Sequence, residues 1–390
     1  MKDLDNICLA LNNNDEKNYY TISPEIVQTS SFKFKNFKHY LDVNAHGQFA
    51  YTYTRGQNPT TSLLEQKMAQ LEGGDDAISF ASGMGAISGT ILSLIKKGDH
   101  ILIVNTVYGS SVKLISYLSK FGVESTKIDV LETEDIFDYL QDNTKMIYFE
   151  SPSSQKFELL DLERIAQAAI ERNIFTVIDN TWATPLLQQP LKHGIDVVIH
   201  SCSKYIGGHS DLVGGVAIAK KPVIQMIRDF SVTYLGATMS PANAWLAIRG
   251  LRTLPVRMKH LDQAVRKVIE FLQNDERIEK IYHPLCGSGQ QKDLAEKYLS
   301  GMGSLLGIVL KDADENKIAT FTDCLQHFTL AYSWGGFESL ILPVYKGNNE
   351  EELKQRGLAL GHMRMYIGLE EPELLIKDIA QALDQAYIKR

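Results

Sequence analysis

The sequence has little cysteine and no long hydrophobic run. Its four cysteines, Cys8, Cys202, Cys286 and Cys324, are scattered over 390 residues and form no CxxC pair. That argues against a disulfide framework or a structural zinc site and suits a reducing compartment. No apolar stretch approaches the ~20 residues that span a bilayer. The polar, acidic start MKDLDNICLALNNNDEKN has no signal-peptide pattern, so a cytoplasmic protein with no membrane partner is expected. Positive charge is not in excess either. Lys and Arg number 40 against 47 acidic residues, a net charge of -7, which argues against a nucleic-acid partner. Internal repeats and low-complexity tracts are absent. What is present is an ordinary globular composition, 44% hydrophobic and 22% charged, long enough for more than one domain.

Three regions follow from the pattern. Residues 1–57 read as an irregular, aromatic arm lying on a neighbouring subunit. Residues 58–250 alternate short β-rich runs (77–81, 100–104, 146–150, 175–179, 196–200 and 215–219) with helical stretches such as GMGAISGTILSLIKKGD and DLERIAQAAIERN. Each of those helices is expected to end on basic residues and a Gly or Asn stop. Such alternation predicts an α/β fold with a largely parallel sheet covered on both faces. In SPANAWLAIRGL, Ser240 is the expected N-cap and Pro241 fits the first turn. Residues 251–390 read as a smaller C-terminal α/β domain, with strands in SLLGIVL, SLILPVY and MRMYIGL and a last helix opened by EEPELL.

The unusual polar residues sit at the carboxyl ends of the predicted strands, where open parallel sheets bind ligands. MIYFESPSS ends in Glu150, IFTVIDNTW in Asp179, and VVIHSCSK in Ser201, Ser203 and Lys204. Ser82, Gly83 and Met84 open a helix directly after a strand, the layout of a phosphate cradle, although a Gly-rich turn is equally a packing solution. Asp179 at the end of a buried strand needs a cation or several donors; an N-cap or turn would satisfy it, and so would a cationic ring nitrogen. Lys204 is a desolvated amine suited to a Schiff base with an aldehyde cofactor. A lysine, a carboxylate and a phosphate cup are together what pyridoxal phosphate requires.

Two other readings fail on context. SCSK also matches the S-x-x-K nucleophile motif, but it follows a strand and no S-D-N or K-T-G accompanies it. His200, His209 and Asp211 have neither the spacing nor the supporting groups of a metal site, so no metal is expected.

SCSKYIGGHSD, FASGMGAI, VIDNTWATP, YTYTRGQNPT, YSWGGFESLILP and MRMYIGLEE together resemble the Cys/Met-metabolism branch of fold-type-I pyridoxal-phosphate enzymes, from about residue 20 to the end. The resemblance implies the aspartate-aminotransferase-like fold with a seven-stranded sheet, and pyridoxal 5'-phosphate as cofactor. It implies that Lys204 carries the cofactor aldehyde, Asp179 holds its ring nitrogen, and Tyr108 stacks on the ring. Ser82, Gly83, Met84, Ser201 and Ser203 would bind phosphate, with Cys202 pointing the other way by the period of two. Tyr53 and Arg55 match a Tyr-x-Arg pair that serves the neighbouring subunit's phosphate, and Tyr53 joins Lys204 and Tyr108 among the implied catalytic residues. Arg364 would grip the substrate carboxylate through its planar fork, beside Tyr332, Ser333 and Trp334. The implied assembly is a homo-oligomer, a dimer that shares its active sites and a tetramer built from it.

Within that branch, ESPSS, NTW with Trp182, and AYSWGG resemble cystathionine β-lyase. Tyr332 stands where γ-enzymes carry Glu, and Trp334 where Leu is common. RGQNPT after Arg55, and Gly109, resemble the γ-lyase and synthase side. The expected activity is therefore β-elimination from a small sulfur amino acid, in transsulfuration and methionine or cysteine metabolism. Cystathionine γ-lyase, methionine γ-lyase or cystathionine γ-synthase activity is the alternative.

Overall fold

The computed structural model describes residues 2–11, 21–129 and 133–388. Strands β1 (Asp76–Phe80), β2 (His100–Val104), β3 (Glu124–Ile128), β4 (Thr144–Phe149), β5 (Phe175–Asp179), β6 (Val197–Ser201) and β7 (Gly215–Ala219) form one sheet in the order β1-β7-β6-β5-β4-β2-β3. Only β7 runs against the others. Strands β2, β4 and β6 are continuous apolar runs because helices cover both faces. On one face the core includes Leu64, Met68, Ile178 and Val198; on the other it includes Ile87, Ile91, Val177 and Ile199. A second sheet of β8 (Ile278–Tyr282), β9 (Leu305–Leu310), β10 (Phe328–Leu330), β11 (Ser339–Pro343) and β12 (His362–Tyr366) has the order β10-β11-β12-β9-β8. The fold class expected from the sequence is the one observed.

Several local expectations change. The first 57 residues are not wholly irregular: α1 (Lys2–Leu9) and α2 (Phe37–Asn44) are helical. In α1, Leu4, Ile7 and Cys8 share one edge and pack on this chain's own core. Lys67, in α3 (Pro59–Glu72), donates from Nζ to the Ile7 and Ala10 carbonyls, satisfying the end of α1. Strand β3 escapes a sequence reading because it is a polar edge strand, ESTKI. The helix α4 (Gly83–Leu94) stops before its two lysines, since Ile95 is already extended. By contrast α5 (Gly109–Tyr117) starts directly after Tyr108, and α6 (Leu162–Arg172) ends on Arg172 and left-handed Asn173 as its sequence implies.

Ser240 caps the 33-residue helix Pro241–Gln273, its Oγ accepting the Asn243 N–H at 3.2 Å. The 250/251 boundary falls inside this helix, so no loop divides the chain there. Gly250 shows why the helix matters to the site. A Cβ on it would lie 2.2 Å from the Ile206 carbonyl oxygen and 2.4 Å from that of Gly207. The segment that follows Lys204 is thus pressed backbone to backbone on the helix. Gly250→Ala should lower stability by about 1–3 kcal/mol through overpacking. Urea unfolding checks this, and an unchanged midpoint would mean that loop and helix separate freely.

Candidate active site

A cavity of about 690 Å³ lies at the carboxyl ends of β4, β5 and β6. Period-two alternation turns Glu150, Asp179 and Ser201, each at or just past its strand end, to the same face of the sheet. Loops from the second sheet close the far side with Tyr332, Ser333, Trp334, Glu338 and Arg364.

One end is built for an anion. Ser82 caps α4, its Oγ accepting the Gly85 N–H at 2.9 Å, and the first amides of the helix have no intrahelical acceptor. Ser201 faces this helix start: a Cβ on Gly83 would come 3.0 Å from Ser201 Oγ. Gly215 is closer still, since its Cβ would lie 2.4 Å from the Ser82 carbonyl oxygen. Glycine at 215 lets backbone approach backbone, and glycine at 83 leaves room for the Ser201 side chain. Ser203 Oγ accepts the Gly214 N–H at 3.1 Å, and Cys202 points away into the core, fully buried.

The middle of the cavity holds two carboxyls. Asp179 Oδ1 accepts the Thr181 N–H at 3.0 Å and the Thr181 hydroxyl. No cationic side chain lies within 4 Å of it among the described residues. Burial raises the Asp179 pKa, while the Thr181 bonds, His200 and Lys204 oppose the rise. Glu150 accepts the Tyr108 N–H at 2.6 Å and the Ser154 hydroxyl at 2.6 Å. Burial first, and then the neighbouring Asp179 charge, push the Glu150 carboxyl up to about 8. Both carboxyls are thus raised by burial, and each makes it harder for the other to ionise.

Lys204 Nζ donates to Ser333 Oγ at 2.7 Å and lies 5.7 Å from the Trp334 ring centroid. Burial, then the Arg364 charge, lower the Lys204 pKa to about 8 against the pull of Asp179. Ser333 has a left-handed φ of 82°, which aims its hydroxyl at Lys204 while its carbonyl accepts from Arg364 Nη2 at 3.2 Å. Gly335, with φ 88°, would place a Cβ 2.7 Å from the Tyr205 amide nitrogen, so the 333–335 bend rests directly on the Lys204 backbone. Arg364 has no carboxylate within 4 Å among the described residues. Tyr108 presents a half-exposed ring to the same space.

The structure therefore gathers Lys204, Asp179, Tyr108, Ser82, Gly83, Met84, Ser201, Ser203, Arg364, Tyr332, Ser333 and Trp334 around one cavity. It does not bring Tyr53 or Arg55 there. They lie side by side, Arg55 Cζ 5.7 Å from the Tyr53 ring centroid, outside this chain's cavity. Glu150, Ser154, Thr181 and Glu338 are cavity residues that sequence reasoning left out of the site. Glu150 and Thr181 were within reach, one a polar strand end and the other two residues past Asp179.

Pyridoxal phosphate fits this donor set: a glycine-lined anion cup, a buried carboxylate with no cationic side chain within 4 Å among the described residues, and an amine held by a hydroxyl. Comparison with known proteins agrees. Residues 5–384 match the profile of the Cys/Met metabolism PLP-dependent enzymes. The chain is 35% identical over 377 residues to an L-methionine γ-lyase of Fusobacterium nucleatum subsp. polymorphum, covering 95% of each. It is 35% identical over 376 residues to a cystathionine β-lyase of Lactococcus lactis subsp. cremoris, covering 95% of this chain and 96% of that one. Among solved structures, cystathionine γ-synthase from Xanthomonas oryzae pv. oryzae superposes with a TM-score of 0.91 at 32% identity over 98% of both chains. A proposed O-acetylhomoserine (thiol)-lyase from Campylobacter jejuni, solved with N'-pyridoxyl-lysine-5'-monophosphate, gives 0.89 at 31%, covering 98% of this chain and 99% of that one.

The depressed Lys204 pKa has a direct consequence. Burial favours the neutral amine, so in cofactor-free protein the amine should become available as pH rises through about 8. Trapping with pyridoxal phosphate and borohydride across a pH series measures this. A midpoint at the ordinary lysine value of ~10.4 would show that the amine is solvated.

Proposed function

The chain belongs to the Cys/Met-metabolism family of PLP-dependent enzymes, and we propose that it is a carbon–sulfur β-lyase. Its substrate in this reading is cystathionine, split with water into homocysteine, pyruvate and ammonia; cysteine and cystine are candidates for the same chemistry. When bound, pyridoxal phosphate supplies an aldehyde that captures an amine and a cationic ring that draws electrons from bonds at Cα.

The protein groups divide the remaining work. Lys204 would hold the aldehyde and Asp179 the ring nitrogen. Ser82, Ser201, Ser203 and the Gly83 and Met84 amides would hold the phosphate, and Tyr108 would cover the ring. Arg364 would bind the substrate α-carboxylate, since its guanidinium has no carboxylate partner among the described residues. Lys204 Nζ, whose pKa burial lowers to about 8, would in its neutral form accept the Cα proton and pass it to the departing sulfur. Tyr53 and Arg55, which do not line this chain's cavity, would serve the phosphate cup of a second copy. That makes a dimer the working unit, with a tetramer as a pair of such dimers.

One observation carries the choice of β-elimination: Tyr332 and Trp334 wall the cavity beside Lys204, where a carboxylate would suit the γ-enzymes. β-elimination removes one proton, at Cα. γ-elimination must also deprotonate Cβ, which asks for a roaming base. An amine flanked by Ser333 Oγ at 2.7 Å and the Trp334 ring favours the shorter task.

Two measurements follow. Purified holoenzyme given cystathionine should release pyruvate; release of 2-oxobutyrate instead would establish γ-elimination. Arg364→Ala should raise KM about a hundredfold, the scale of a truncated buried charge pair, with the visible absorbance of bound cofactor retained. A KM unchanged within error would remove Arg364 from the carboxylate site.

A further inference from the structure

Glu150 lines the cavity without a role in holding cofactor or substrate. It stands one residue past β4 and is only 8% exposed. A buried carboxyl must find donors, and here each oxygen has one. Oε2 accepts the Ser154 hydroxyl at 2.6 Å, which fixes the carboxyl within its own turn. Oε1 accepts the Tyr108 N–H, also at 2.6 Å, and so reaches across to the segment that leads from β2 into α5. The two backbones meet beside it. The Ser154 N–H donates to the Thr106 carbonyl at 2.6 Å, and the Thr106 hydroxyl donates to the Ser154 carbonyl.

Packing does little to fix Tyr108. Its ring is 51% exposed, and a Cβ on the next residue, Gly109, would have nothing within 4 Å among the described residues. Tyr108 is the N-cap of α5 and makes no cap bond with its own side chain. Its amide is one of those that a helix start leaves without an intrahelical acceptor, and Glu150 supplies the acceptor. Strand β4 also grips the first turn of α5 at a second point, where Tyr148 OH donates to Ser111 Oγ at 3.2 Å. Tyr148 and Glu150 are two residues apart and so face the same side. The corner that carries the exposed ring is therefore held by hydrogen bonds from the end of β4.

We propose that Glu150 is a positioning residue for Tyr108: its carboxyl ties the Tyr108 backbone to the 150–154 turn and thereby sets where the tyrosine ring lies in the cavity. The inference rests on Tyr108 being the residue that covers the ring of pyridoxal phosphate. Two consequences separate this tie from other roles. Glutamine removes the charge beside Asp179 but still offers an acceptor to the Tyr108 N–H, whereas alanine offers none. A residue that acts through Tyr108 also contributes no more than the tyrosine ring itself does.

The test uses cofactor-free full-length protein. Dissociation constants for pyridoxal phosphate are read from tryptophan fluorescence, and inorganic phosphate, which probes the anion cup alone, is measured by competition. Tyr108→Ala should weaken pyridoxal phosphate about tenfold, near the upper scale of a specific aromatic contact. Glu150→Ala should weaken it about threefold to tenfold and Glu150→Gln less than about twofold, on the same scale, and neither should move phosphate. In the Tyr108→Ala protein, adding Glu150→Ala should change the constant less than about twofold, because residues that act through one another are not additive. Full additivity would mean that Glu150 acts independently of Tyr108 and would overturn the inference. So would equal losses in the glutamine and alanine variants, or equal weakening of phosphate. If Tyr108→Ala bound pyridoxal phosphate like wild type, the Tyr108 reading would fall and take the inference with it. Should Glu150→Ala not fold, Glu150→Met fills similar volume without an acceptor and takes its place in the same comparison.

Discussion

Desolvation at the carboxyl ends of three parallel strands is the constraint that organises this protein. Removing an ammonium or a carboxylate from water is costly unless donors, acceptors or opposite charges replace the lost solvent. The structure puts Lys204, Asp179 and Glu150 in that situation at once and compensates each differently. Asp179 receives two bonds from Thr181, and the charge of Lys204 opposes the rise in its pKa that burial causes. Glu150 receives a backbone N–H and a hydroxyl and is pushed toward its neutral form. Lys204 receives one hydroxyl and the edge of an aromatic wall, and burial lowers its pKa to about 8. The incompleteness of these arrangements makes the cavity receptive: a partly satisfied carboxylate and an amine that gives up its proton readily both have more to gain from a ligand.

Backbone closeness does the rest. The anion-cup end of the cavity exists because Gly215 lets β7 lie against the Ser82 backbone at a distance that a Cβ would forbid, while Gly83 leaves room for the Ser201 side chain. The segment after Lys204 is fixed in the same way, between Gly250 of the long helix and Gly335 of the closing loop. Arg257 adds a buried guanidinium against Gly208, donating to the Gly250 carbonyl at 2.9 Å. Lys204 is thereby carried on backbone with little freedom, which suits the proposed role of meeting an aldehyde in one orientation.

Legibility in the sequence followed burial. Strands β2, β4, β5 and β6 were readable because each is a compact apolar run, and their polar final residues stood out against it. Strand β3 was not, because an edge strand needs no such run and ESTKI alternates toward solvent. Helix α1 was hidden by its shortness and by a capping lysine sixty residues away. Lys204 and Asp179 stood out as charges in improbable places, whereas Arg364 was reached through the family resemblance. Glu150 was visible as a polar strand end, yet its protonation depends on Asp179, a spatial neighbour that no local pattern announces. The tie from Glu150 to Tyr108 joins residues 42 apart in the chain, and nothing in either segment points to the other.

The same reasoning explains why the cofactor is easier to read than the reaction. The groups suited to the phosphate, ring and aldehyde sit on strand ends and a helix start, where periodicity and glycine placement leave strong local marks. The groups that would meet the far end of a substrate belong to the 331–338 loop, which reaches the cavity from the second sheet. Tyr332 is 78% exposed there, so core packing places little restriction on its identity. A side chain under no packing constraint is free to set specificity, and for that reason its residue type carries information about substrate that the buried scaffold cannot. An aromatic at 332, backed by Trp334 against Lys204, narrows the space around the amine. The step that follows Cα deprotonation then depends on how far that amine can travel.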